Sequence, residues 1–237
     1  PIMTVKAKIL WTLAAAMLLL GGVAAFVAGR YYVDNKMPNF TQKHVLYVYP
    51  DMTVAQVMDS LHTGAGTIRP KSVERAFRKM DVAHAMKPGR YVVESSSSSI
   101  YVARMLVFGW QTPQNMTLSG TLRAKGRIAQ RIGSQMLVDS AEVAQALNDE
   151  AFLSKYGFTP ENVFALILPD TYEMYWTASV EEIFDRFKKE YDAFWTEERL
   201  AKAKAQGLCQ MEVSIMASIV SGETLQAFEY PVIAGVY

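Results

Sequence analysis

Glu223 is the side chain in this sequence best placed for acid–base chemistry. It follows the segment Glu212–Gly222, in which Val213, Ile215, Met216, Ile219 and Val220 recur at helical spacing. At about 100° per residue, Glu223 falls close to Met216, Ile219 and Val220 on such a helix, on the stripe expected to face a core. A carboxylate set among apolar side chains is disfavoured as the anion, so its pKa rises. A glutamic acid that holds its proton near neutrality can protonate a leaving group and later take a proton back. The plainer alternative is a glutamate that frays into solvent beyond Gly222, a residue that weakens the helix.

A second constellation is Leu168-Pro169-Asp170-Thr171-Tyr172-Glu173-Met174-Tyr175-Trp176. Pro-Asp-Thr favours a turn in which Asp170 bonds its own backbone. Tyr172 and Trp176 would share one face of the strand that follows, an arrangement suited to stacking on a sugar ring. It is suited equally to the interior of a sheet, the more ordinary place for such side chains.

Several elements must position these residues. His44–Tyr49 has the composition of a strand. Thr53 and Gln56 form a capping box ahead of a helix with Val54, Val57, Met58 and Leu61 on one face. Gly64–Pro70 reads as a loop and Lys71–Met80 as a second helix. Pro88-Gly89 turns into a short strand, Arg90–Val93. The serines of Ser95–Ser99 form a loop and cap a helix over Ile100–Phe108, with Gly109 as its stop. Further on, Asn115–Leu118 reads as a strand, and Gly126–Leu137 and Ser140–Leu147 as helices. Val163–Leu168 is an apolar run of strand length. Ser179 and Glu182 form another capping box, opening a long helix that carries Ile183, Phe184, Phe187, Tyr191 and Phe194 and stops near Gly207.

The 237 residues carry a net charge of +1, so no nucleic-acid footprint is visible. A single cysteine, Cys209, excludes an internal disulfide. His44, His62 and His84 lie far apart, no metal-ligand spacing occurs, and neither a metal nor another cofactor is expected. Ile9–Ala28 is uncharged over 20 residues, about 30 Å as a helix, the hydrocarbon thickness of a bilayer. The run is longer than a signal peptide's core and apolar on every face, so it reads as a membrane anchor. Lys6 and Lys8 ahead of it favour a cytoplasmic N-terminus. The expected class is α+β: residues 1–29 form the tail and transmembrane helix, 30–43 a polar stalk, 44–112 a first domain and 113–237 a second.

The order of these segments resembles a known family. Ala217-Ser218-Ile219-Val220-Ser221-Gly222-Glu223-Thr224 resembles the signature A-S-I-[VI]-x-x-E-T of the YceG-like, or MltG-type, endolytic transglycosylases. Pro169-Asp170-Thr171-Tyr172 resembles their P-[DN]-T-Y segment. Glu229 and Ile233-Ala234-Gly235-Val236-Tyr237 resemble the start of their E-x-x-x-[VI]-A-x-V-[FY]-x-N-R-L stretch. The Pro-Gly-x-Tyr of Pro88–Tyr91, in its helix-rich surroundings, resembles the family's LysM-like subdomain. Two positions depart from the pattern: Ser221 stands where the family often has an acid, and Gly222 where it has a charged or polar residue.

The resemblance implies a single-pass protein of the cell inner membrane, its bulk outside the cytoplasm. A LysM-like subdomain over 44–112 precedes a mixed α/β catalytic domain over 113–237, incomplete because Tyr237 falls just before the family's N-R-L. Pro1, in place of an initiator methionine, implies trimming at the other end as well. Glu223 matches the catalytic glutamate, and Asp170, Tyr172, Thr224 and Glu229 are the implied substrate-binding residues. The implied partners are peptidoglycan glycan strands and peptidoglycan synthases. The implied reaction cleaves the bond between N-acetylmuramic acid and N-acetylglucosamine. The muramic 6-hydroxyl attacks its own anomeric carbon, leaving a 1,6-anhydro end. One carboxylic acid suffices, since no water or enzyme nucleophile is needed and proximity supplies much of the rate. The rival readings are a membrane-anchored protein that binds peptidoglycan without cleaving it, and one that only tethers envelope machinery.

Overall fold

The computed structural model describes the backbone of residues 5–120, 124–224 and 226–237, and side chains from Leu10 onward in the first helix. The side chains of Lys6, Lys8 and Ile9 lie outside the described residues. The chain is α+β, mostly helical with two small sheets. Its contacts divide it into two units, one ending at Thr112 and the other beginning at Pro113.

The first unit opens with helix α1 (Val5–Lys36). Its stretch Leu10–Lys36, 27 residues with mean hydropathy 2.2 in its most apolar window, is long and apolar enough to cross a membrane. Residues 30–36, expected to be a polar stalk, instead continue this helix. Nothing in Arg30–Lys36 breaks a helix, and the first proline after it is Pro38. Late in the helix, Asp34 accepts hydrogen bonds from the Arg75 guanidinium and the Ser72 hydroxyl, which tie it to the folded unit.

Strands β1 (His44–Val48) and β2 (Gly89–Val93) pair antiparallel, with His44 opposite Val93 and Val48 opposite Gly89. Helix α2 (Val54–Ala65) starts at the Thr53–Gln56 capping box, with both reciprocal bonds formed, and ends at Gly66 in the left-handed region. Helices α3 (Pro70–Lys79) and α4 (Val82–Ala85) follow, then α5 (Ser99–Phe108), capped by the Ser98 hydroxyl and stopped by Gly109 at φ 69°. The short α4 was not expected, because a single turn is too brief to show a period. Leu46, Val48, Tyr91 and Val93 bury one face of the sheet against Leu61, Phe77 and Leu106.

Tyr91 is fully buried, with its hydroxyl donating to the Lys87 carbonyl at 2.8 Å, and burial pushes its phenol up to about 12 from 10.0. A group whose folded pKa is raised favours the folded state below its unfolded pKa and ceases to do so as pH climbs through the folded value. The Tyr91 phenol therefore favours folding up to about pH 10, and this contribution fades between about pH 10 and 12. Tyr91→Phe removes the contribution, so the melting temperatures of parent and variant should lie further apart at pH 8 than at pH 11. A gap that stays constant would refute the assignment.

In the second unit, β3 (Gln114–Leu118) and β4 (Asp170–Met174) pair antiparallel, with Leu118 opposite Asp170. Between them run α6 (Lys125–Gly133), α7 (Ser140–Ala146) and α8 (Glu150–Ser154), the last two capped by Asp139 and Asp149. After β4 come α9 (Val180–Phe194), α10 (Glu197–Ala205), α11 (Gln210–Glu223) and α12 (Tyr230–Val236). Ile183, Phe184 and Phe187 of α9 are fully buried and gather the core with Leu118, Ile128, Ile132 and Leu153.

Two expectations fail here. Val163–Leu168 is not a strand. The Asn162 side chain accepts from Thr159 N–H at 2.7 Å and opens a turn, and Val163–Ala165 is a 3-10 helix whose bonds close locally. An apolar run reports burial, and here Val163, Leu166 and Ile167 are buried without pairing to a sheet. The long helix from Ser179 also breaks at Trp195. The Thr196 hydroxyl accepts from Arg199 N–H, and Glu197 and Glu198 fill a new first turn, so α10 starts afresh under its own cap. Phe194, expected on the buried face, is instead exposed beneath the Arg199 guanidinium, 4.0 Å from its ring centre.

Candidate functional site

Helix α11 carries Glu223 at its last position. Its first turn is fixed by Cys209 N–H donating to Glu212 at 2.7 Å, and this backbone bond, with a second from the Cys209 side chain, holds the Glu212 carboxyl below its ordinary range. The helix packs on the 3-10 turn Val163–Ala165 and on α12. Val220 is buried and Met216 and Ile219 are half-buried, while Ile215 is half exposed, so the apolar run read from the sequence is only partly covered. Glu223 does not share that burial. Ser221, Gly222 and Glu223 are all exposed, because the core covers α11 only as far as Val220. The carboxyl therefore stands in the open and not among apolar side chains, contrary to the expectation from its position on the stripe.

The chain leaves α11 at Thr224, in extended conformation (φ −144°, ψ 151°), and returns through a 3-10 turn, Ala227–Glu229, into α12. This reversal assembles a polar cluster. The Tyr237 hydroxyl donates to Glu223 Oε1 at 3.2 Å. The Thr224 hydroxyl donates to Glu229 Oε2 and accepts from Gln226 N–H at 3.0 Å. The Glu223 carboxylate holds the Tyr237 phenol above its ordinary value, mainly through that hydrogen bond. Glu223, Thr224 and Glu229, singled out from the sequence, thus sit together. Tyr237 was missed as a partner, although its place at the [FY] position of the family stretch is the signal that points to it.

Asp170 opens β4 and is exposed. Its Oδ1 accepts from Thr171 N–H at 2.7 Å, but Asp170 and Thr171 already pair with Leu118 and Thr117 in the sheet, so the turn expected at Pro-Asp-Thr is not formed. Across the β3–β4 pair, the Thr171 and Thr117 hydroxyls lie 3.0 Å apart on the exposed face. Tyr172 corrects the sugar-stacking expectation. It is 1% exposed, its ring meets Phe187 edge-on at 5.0 Å, and its hydroxyl donates to the Leu168 carbonyl at 2.5 Å. Burial pushes its phenol far above the ordinary value. Trp176 is buried as well. These rings are buried, and the Tyr172 hydroxyl holds the segment that leads into β4 through the Leu168 carbonyl.

A concavity of the second unit lies elsewhere. It is an open groove of about 620 Å³ between α7, α8 and the start of α9, lined in part by Asp139, Glu142, Asp149, Phe152, Thr177 and Glu181. No residue of α11 or α12 lines it.

Comparison with known proteins bears on this arrangement. No curated protein matches the chain. The crystal structure of a YceG-like protein of Listeria monocytogenes is similar over 80% of this chain and 67% of its own, at 16% identity and a TM-score of 0.47. The model of the YceG-like family matches residues 46–237, a span that holds most of β1, all of β2, β3 and β4, Asp170 and the whole Glu223 cluster. The chain belongs to the YceG-like family.

Proposed function

We propose that this protein is an endolytic murein transglycosylase. It would cleave the bond between N-acetylmuramic acid and N-acetylglucosamine in nascent glycan strands, with Glu223 as general acid and base. The observation that carries the reading is the placement of Glu223. In a chain of this family, its carboxylate ends α11 open to a polymeric substrate, with a second polar pair, Thr224–Glu229, immediately beside it. Its exposure in the free protein suits an acid that must reach an extended strand. A glycan lying over the last turn of α11 would exclude water from the carboxyl when the proton is needed.

In this scheme Glu223 protonates the glycosidic oxygen and then receives the proton of the muramic 6-hydroxyl as that oxygen closes on the anomeric carbon. Thr224, Glu229 and the exposed Asp170 bind the sugar hydroxyls, while the buried Tyr172 holds the segment that leads into β4. Residues 44–112 serve as a LysM-like glycan-binding module. Helix α1 anchors the protein in the cytoplasmic membrane with its N-terminus inside, placing both units beside glycan strands and the synthases that make them.

That the second unit's groove lies away from Glu223 favours one rival, a module that binds glycan without cutting it. Strand length separates the two. The full-length protein in detergent, incubated with uncrosslinked glycan strands, should shorten them on a sizing gel. Strands bound but left at full length would establish the binder instead.

A further inference from the structure

The polar contacts between α1 and the rest of the first unit fix an orientation. Arg69 donates from its backbone N–H to Asn39 Oδ1 at 2.8 Å, and its guanidinium donates to the Pro38 carbonyl. Ser72 and Arg75 bind Asp34, and the Lys79 ammonium lies 5.5 Å from the centre of the Tyr31 ring. Going up the sequence of α3, the partners go down the sequence of α1, so the two helices run antiparallel. The end of α3 at Lys79 therefore points back toward the apolar stretch of α1.

Helix α5 points the same way. Its first residue, Ser99, meets Ser72 Oγ at 2.8 Å and accepts from Asn39 Nδ2 at 2.8 Å, so α3 and α5 start from one buried polar knot. Their far ends are also joined, because α4 leads from α3 to Lys87, whose N–H donates to Leu106 O at 3.0 Å. Strand β2 begins here too, with Gly89 opposite Val48, so the Tyr49–Met52 turn belongs to this end.

Distances along α1 place this end. Asp34 lies six residues past Ala28, about 9 Å at 1.5 Å per residue. The headgroup layer on each side of a bilayer is roughly 5–8 Å deep. Tyr31 and Lys79 fall within that depth if the hydrocarbon ends at Ala28. The chemistry of the end matches such a layer. Phe108 and Trp110 are about half exposed, with ring centres 5.5 Å apart. Arg30 on α1, Arg78 and Lys79 at the end of α3, and Lys87 after α4 are exposed, against Asp51 and Asp81. Aromatic rings and cations together are what the membrane–water interface selects, above all over anionic lipid.

We propose that this end of the first unit, formed by the C-termini of α3 and α5 with α4, rests in the anionic headgroup layer of the bilayer that α1 crosses. The unit is then a fixed platform on the membrane surface. The knot of Asn39, Ser72 and Ser99 and the Asp34–Arg75 pair replace a flexible stalk. The proposal rests on α1 spanning a membrane.

The test uses the full chain with Cys209→Ser, reconstituted in vesicles of phosphatidylethanolamine and phosphatidylglycerol. Single nitroxide labels are placed at His84→Cys on α4, at Ser96→Cys by the polar knot, and at Leu18→Cys within α1. Relaxation by oxygen and by a water-soluble nickel chelate reads the depth of each label. The label at 84 should read between those at 18 and 96, more accessible to oxygen and less to nickel than the label at 96, and Phe108→Ser with Trp110→Ser should shift position 84 toward the values of 96. A lipid-like reading at 18 with an aqueous reading at 84 overturns the platform and leaves the anchor standing. An aqueous reading at 18 overturns the anchor and the platform together. If position 84 is aqueous and becomes immobile only when glycan strands are added, the aromatic end is a sugar platform and the proposal is wrong.

Discussion

Glu223→Gln should lower glycan cleavage by about a hundred- to ten-thousandfold, the usual worth of general acid–base catalysis. The amide keeps the shape of the side chain and can still accept from the Tyr237 hydroxyl, but it neither gives nor takes the proton. Stability should hardly change, because substitutions at exposed positions away from special features stay within about 0.5 kcal/mol. Activity and folding therefore separate cleanly at this residue. A variant that melts with the parent and still cleaves at more than about a tenth of its rate would remove Glu223 from the mechanism. Asp170 and Glu229 would then be the carboxylates left to test.

Phe184→Ala should have the largest effect on stability. The ring is fully buried in the core of the second unit and meets Phe152, Tyr156 and Phe187 at 5.0, 5.7 and 5.6 Å between centres. Three aromatic neighbours on α8, α9 and the turn after α8 leave a space that short helices cannot close without breaking their caps. Truncation of a buried phenylalanine costs about 3–5 kcal/mol, a large share of the roughly 5–15 kcal/mol that holds a domain folded. Denaturant unfolding of the second unit should show a loss of that size. A loss below about 1 kcal/mol would mean that the site collapses around the alanine.

Much of the fold was legible because its signals are local. The capping boxes at Thr53 and Ser179 each open a helix with both bonds in place, and Gly109 ends one in the left-handed region. What failed depended on tertiary context. The run Val163–Leu168 is apolar because it is buried, and burial does not distinguish a strand from a turn. The break at Trp195 was hidden because Thr196 caps α10 where the apolar spacing of α9 simply continues. At the site, helical spacing marked Met216, Ile219 and Val220 as the covered side of α11, but it could not show that Ile215 lies half exposed or that the cover ends at Val220. Tyr172 carried a motif that matched a substrate segment, yet its ring lies inward on Phe187. The motif marks the entry to β4 that must be held, with the exposed chemistry left to Asp170.

The account stands or falls on the nucleophile. If Glu223 acts alone and the muramic 6-hydroxyl attacks within its own sugar, mass spectrometry of strands digested by the full-length protein will find 1,6-anhydro-muramic ends and no new reducing ends. Reducing ends would show that water attacks. A hydrolase of that kind requires a second catalytic carboxylate, and the single-acid mechanism assigned to Glu223 would be wrong.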